Sequence, residues 1–329
     1  MKKGIRYDKG QERSLVRVTV DIFSGQPNPT WVLDDEEAKT FLEEISKSRE
    51  AIGELESGHR GLGYKGVKID LLAGHLHDEY KIPARFTIAN GSAKDESKGR
   101  KIAKGLVGKI QDYAKRDEDS KASKREFIDH PLLETSELEG VILAEMDKLP
   151  LIIDPLIFPF FPRTVKDCVK TTVTTEACEI ELAWYFPGFW NDDTNVRWNN
   201  NCYNYATNRR TDTFAQPGRG GGGYPWSDPI SCGVINAAAI KYDGAHRRCD
   251  CLPKSEKPRY LMALAVWPGV DYHWYRKHIG GFWGHKPGST EARKIDNSGV
   301  VIHDPETCDR GPYTDFCGYL YSGKSMKVL

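Results

Sequence analysis

Apolar and polar positions alternate between residues 15 and 23, with Val16, Val18, Val20 and Ile22 on one side of an extended chain. A period of two is the pattern of a half-buried β-strand. The dense turn chemistry of Ser24-Gly25-Gln26-Pro27-Asn28-Pro29 ends it, and Trp31-Val32-Leu33 reads as a second short strand. The period then lengthens. Ala38, Phe41, Leu42 and Ile45 fall on one helical face, predicting a helix from Asp34-Asp35 to about Ser46 with acids near its start. Residues 67–71 and 85–89 read as further strands. Residues 98–114 read as an exposed helix with Ile102, Leu106, Val107 and Ile110 on one face. Strands and helices mixed without βαβ regularity predict a small α+β domain. The mixed charges of residues 115–126 predict a solvated linker or loop.

The longest apolar run, residues 149–162, is broken by Asp154 and several prolines and is too short to span a bilayer. Left in water it would form a large apolar patch, so burial between two domains is expected, with a partner-docking or membrane-touching segment as the alternative.

Composition sharpens this picture. At 329 residues, with 39% hydrophobic and 29% charged positions, the chain is long enough for two packed domains. Lys+Arg and Asp+Glu both number 47, and this zero net charge argues against a dedicated nucleic-acid binder. No secretory signal is visible behind the charged first eleven residues, which leaves non-classical export, delivery as an effector, or a cytoplasmic location. All eight cysteines and seven of the eight tryptophans lie in the second half. Two kinds of domain are therefore expected: a tail at 1–12, an α+β domain at 13–127, a connecting segment at 128–165, and a second domain at 166–329. No Cys-x-x-Cys pair occurs, so neither a zinc ribbon nor a thioredoxin-like site is expected. Cys168 with Cys178, and Cys308 with Cys317, are candidate disulfides.

The second half carries the candidate chemistry. Asn199-Asn200-Asn201 are good amino-terminal caps, so Cys202 opens a short helix running to about Arg209. A thiol on the first turn meets the positive end of the helix dipole, which favours the thiolate. Further on, residues 261–268 read as a strand, Asp271-Tyr272-His273-Trp274-Tyr275-Arg276 alternates, and Gly280-Gly281 turns the chain into Phe282-Trp283-Gly284-His285-Lys286. That is a hairpin whose two histidines can approach each other across the strands. A thiolate nucleophile needs a base within reach and a third group to hold that base. Cys202, His273 and His285 supply such a set.

The order of a helix-start cysteine, a strand histidine and a polar residue on the paired strand resembles the papain-like fold, in particular its NlpC-like branch of cell-wall peptidases and amidases. The resemblance covers about 85 residues, 201–286. It implies an antiparallel sheet in the second domain and a cysteine hydrolase acting on an amide bond of a cell-wall peptide or of a target-cell protein, as a delivered toxin would. In that reading Cys202 is the nucleophile, His273 the general base and acid, and His285 the orienting group. Asn201 and Tyr203 flank the nucleophile as oxyanion and positioning residues. No metal or cofactor is implied. The expected partner is a peptide or peptidoglycan-like substrate, with a protein partner at the first domain or at 149–162.

Other features compete. Cys232 also opens a predicted helix and is the rival nucleophile. Asp296 and Asp304 are spare candidates for orienting a histidine. Residues 217–224, rich in glycine, lack the Gly-Lys-Ser/Thr ending of a phosphate loop and read as a mobile loop or lid. Asp296-Asn297-Ser298-Gly299 reads as a turn, since a calcium loop needs later ligands that are missing. Most tryptophans should be core, with Trp198, Trp226, Trp274 and Trp283 as candidates to line a cleft. The alternative function is a non-enzymatic binding protein held by disulfides, with a tryptophan-lined ligand cleft.

Overall fold

The computed structural model of the chain describes residues 16–55, 57–119, 133–149, 178–247 and 251–329. The elements of the first half are β1 (Val16–Asp21), β2 (Thr30–Val32), α1 (Asp35–Ser46), β3 (Gly66–Leu71), α2 (Gly74–Tyr80), β4 (Arg85–Ile88), α3 (Glu96–Val107), α4 (Ile110–Asp119) and α5 (Thr135–Lys148). Those of the second are α6 (Gly188–Asn191), α7 (Thr194–Asn199), α8 (Cys202–Thr207), α9 (Cys232–Ala238), β5 (His246–Arg247), β6 (Tyr260–Trp267), β7 (Asp271–Lys277), β8 (Trp283–His285) and β9 (Asp315–Ser322). The chain is an α+β protein with two antiparallel sheets, ordered β2-β1-β3-β4 and β5-β9-β6-β7-β8.

Alternation in the first sheet separates two faces. Val16, Val18, Val20, Val67, Ile69, Phe86 and Ile88 are buried together with Phe41, Leu42 and Ile45 of α1 and Ile102, Leu106 and Val107 of α3. Asp34 caps α1 by accepting from the Glu37 N–H at 2.9 Å. The stretch expected as one helix over 98–114 is two, because Gly108 closes α3 by donating to Lys104 O. Residues 115–119 continue α4 in place of the expected solvated loop, and residues 120–126 lie outside the described residues. The connecting segment needs a larger correction. Leu138, Ile142 and Met146 recur every four residues on α5 and are fully buried in the first core, so this helix belongs to the first unit. Leu149 packs against the same core, whereas the rest of the apolar run and the boundary near 165 lie outside the described residues.

The second sheet is covered on both faces, which explains the unbroken apolar run of β6. Met262, Leu264, Val266, Tyr272 and Trp274 face α8 and α9. Ala263, Ala265 and Tyr275 face the other way, against Trp283, Ile302 and Tyr313. Among the described residues, two disulfides bind this unit, Cys178–Cys251 and Cys232–Cys317, with Cα separations of 5.2 and 5.1 Å. The sequence-local pairings expected for Cys178 and Cys317 are therefore replaced by pairings across sequence separations of 73 and 85 residues. Cys308 carries a free thiol, and Cys168 and Cys249 lie outside the described residues.

The glycine-rich loop is packed, contrary to the expected mobile lid. Asp243 accepts the Gly218 N–H at 2.6 Å, and a Cβ on Gly221 would sit 1.9 Å from Tyr242 O. The glycines permit close backbone approach. Gly221→Ala is expected to cost about 1 to 3 kcal/mol of stability by overpacking, readable in a urea melt; an unchanged midpoint would mean that the contact yields freely.

Candidate functional site

The helix opened by Cys202 forms as the asparagine run predicts. Asn201 Oδ1 accepts the N–H groups of Tyr203 at 3.0 Å and Asn204 at 3.2 Å, while Asn204 Oδ1 accepts the Asn201 N–H at 3.1 Å. Asn201 Nδ2 donates to Gly25 O at 2.9 Å and Ala215 O at 2.8 Å, tying the helix start to the first unit. These bonds consume the donors that the resemblance assigned to an oxyanion hole. The Tyr203 hydroxyl donates to Asp243 at 2.8 Å inside the core.

Cys202 is fully buried, with Sγ 3.9 Å from Tyr272 O. Burial, and then the negative charge of Asp271, push its thiol well above the ordinary value, outweighing the nearby Lys286 ammonium. The helix start does not yield a thiolate here, because desolvation opposes charge more strongly than one short helix favours it.

The histidine pair assembles across the hairpin. Tyr275 is in register with His285, and His273 Nε2 lies 2.8 Å from His285 Nδ1. His285 Nε2 lies 2.9 Å from Ile295 O, a carbonyl that can only accept, so Nε2 carries the hydrogen. His273 Nε2–H then donates to His285 Nδ1, and His273 Nδ1 is a buried lone pair without a partner. Burial holds both rings neutral, pushing His285 down to about 3 and His273 well below its ordinary value.

The expected triad is not brought together. Tyr272 and Trp274 project from β7 toward Cys202, so His273, between them, projects from the opposite face. There it packs edge-on against Tyr275, Tyr313 and His285. No hydrogen bond joins His273 to Cys202.

The remaining candidates are also corrected. Cys232 starts α9 but is disulfide-bonded to Cys317, so it offers no thiol. Asp296 closes a turn by accepting from Ser298 at 3.0 Å and Val300 at 2.9 Å, and Asp304 accepts from Glu306 N and the Tyr319 hydroxyl. Neither holds a histidine; the Ile295 carbonyl does. Trp226, Trp274 and Trp283 are core residues, and Trp198 lies under the Arg85 guanidinium at 4.2 Å, so no tryptophan-lined cleft is formed by these four.

Two buried ionisable side chains lie outside the expected set of site residues. Asp271 accepts the N–H groups of Ser24 at 2.5 Å, Gly25 at 3.1 Å and Gln26 at 2.9 Å, together with the Tyr313 hydroxyl at 2.5 Å. Lys286 is wholly buried, which pushes its amine well below its ordinary value, and its Nζ donates to the carbonyls of Arg197, Asn200 and Gly288. A charge inside an apolar strand pattern was the available signal in both cases. Among the described residues, no helix is long and apolar enough to cross a membrane, and no group of three or more His, Cys, Asp or Glu is placed to hold a metal ion.

No family model and no solved structure matches this chain. The chain is 44% identical over 159 residues to the insoluble matrix shell protein 1 of Ruditapes philippinarum, an alignment spanning 46% of this chain and 99% of that protein. Identity at that level over nearly the whole relative means that this chain belongs to the same family as the insoluble matrix shell protein 1.

Proposed function

We propose that the chain is a non-enzymatic structural module of an insoluble matrix, the kind of material named in its shell relative. The observation that carries this reading is the sealed thiol: Cys202 is buried, held protonated, and separated from His273 by the strand between them. A cysteine hydrolase needs that thiol as an accessible anion within reach of its base. The disulfides Cys178–Cys251 and Cys232–Cys317 support an oxidising compartment, where such bridges persist. The polar residues at the helix start act as mortar between the two units.

The competing reading is the NlpC-like amidase, favoured by the fixed histidine pair. Iodoacetamide at neutral pH separates the two. In the native protein Cys202 is expected to remain unlabelled until denaturant is added, whereas an amidase would label there first. As a second arm, hydrolysis of cell-wall fragments and of a denatured protein is measured before and after Cys202→Ala. Hydrolysis lost in that variant, with its circular dichroism spectrum unchanged, would overturn the matrix reading.

A further inference from the structure

The polar face of the first sheet turns toward residues 290–293 of the second unit, and a small cleft of about 40 Å³ lies between them. Arg60, Lys65, Lys68 and Arg293 line it against two carboxylates, Asp21 and Glu291. Both carboxylates are already engaged. Asp21 lies 3.2 Å from Lys65 and 2.5 Å from Lys68. Glu291 lies 3.6 Å from Arg60 and 3.9 Å from Arg197. Arg293 is left over. Its backbone is fixed by reciprocal 2.8 Å hydrogen bonds with His285, so its side chain springs from a rigid edge of the histidine hairpin. Its Nε and Nη2 atoms are buried and have no hydrogen-bond partner.

Buried guanidinium donors without acceptors are costly, and native structures rarely leave them so unless something supplies the oxygens. Burial and the neighbouring Lys65 and Arg293 also push His59 down to about 4, which keeps its imidazole neutral at the cleft. Four cations against two carboxylates leave a surplus of two positive charges.

We infer that this cleft binds a doubly charged oxyanion, phosphate or sulfate, free or as a monoester, with the open fork of Arg293 as its principal donor. The planar guanidinium matches two oxygens of such a group, and Lys68 and Arg60 add charge at the rim. This site stands apart from the matrix reading and survives its failure.

Isothermal titration calorimetry of the full chain at fixed ionic strength tests it. The probes are inorganic phosphate, inorganic sulfate and phosphoserine, with acetate as the monoanion. The dianions are expected to bind saturably at one site, and acetate roughly tenfold more weakly or worse. Arg293→Gln should weaken phosphate by roughly tenfold or more, and the rim variants Arg60→Gln and Lys68→Gln by several-fold each. Lys39→Gln, on the exposed side of α1, should leave binding unchanged. If Arg293→Gln loses its native circular dichroism spectrum, the two rim variants decide the matter. Tighter binding of phosphoserine assigns a monoester ligand, and tighter binding of inorganic phosphate a free ion. Absence of saturable binding, or equal affinity in the folded pocket variants and the parent chain, would overturn the site.

Discussion

Lowering the pH from 7 to 5 is expected to remove up to about 6 kcal/mol of stability, well before ordinary carboxylates are protonated. His273, His278 and His285 are buried and held neutral, with His278 pushed down to about 4 and His285 to about 3, mainly by burial. In the unfolded chain each takes a proton near pH 6.5, whereas in the folded chain each does so only at much lower pH. The stability is therefore fully present above 6.5 and drains away as pH falls toward 4 and below. At pH 5 the gap is about 1.5 pH units for each histidine, or about 2 kcal/mol apiece. Asp271 and Asp243 act with the opposite sign, since burial raises both carboxyls, and they offset part of the loss. Thermal melts at half-unit intervals should show Tm falling by on the order of 10 °C between pH 6.5 and 5. A flat Tm across that interval would mean that these rings accept protons in the folded state.

Asp271→Ala is expected to destabilise the chain by about 3 to 5 kcal/mol, the scale for removing one partner from a buried charged network. The variant strands three backbone N–H groups of the Ser24–Gln26 turn and the Tyr313 hydroxyl. Those donors sit on the first unit and on the loop before β9, so the loss should loosen the seam between the two sheets. Hydrogen exchange of the Ser24, Gly25 and Gln26 amides should accelerate more than that of the β1 amides Val18 and Val20. A loss below about 1 kcal/mol would show that water or a neighbouring residue replaces the carboxylate.

Much of the local structure was legible in the residues. The period-2 stretch around Val16 gives β1, the Asp34 cap and the Ala38-Phe41-Leu42-Ile45 face give α1, and the Gly280-Gly281 turn brings His273 to His285. These outcomes depend on contacts close in sequence, which side-chain direction and turn chemistry largely set. The asparagine cap of Cys202 was legible for the same reason.

What Cys202 can do was decided elsewhere. Its distance in chain from β7 hides which face of the strand it meets, and one residue's difference in register exchanges the two faces. Tertiary packing put Tyr272 and Trp274 on the cysteine's side and His273 on the other, so a plausible catalytic list became two separate buried features. The disulfide partners were hidden likewise, because Cys178–Cys251 and Cys232–Cys317 depend on which distant segments lie side by side. The same holds for the Arg293 cleft. Its cations come from residues 60–68 and 293, and only docking the two units leaves one guanidinium without a carboxylate. Sequence periodicity determines which residues are buried; the packing of distant elements determines what each buried polar group faces.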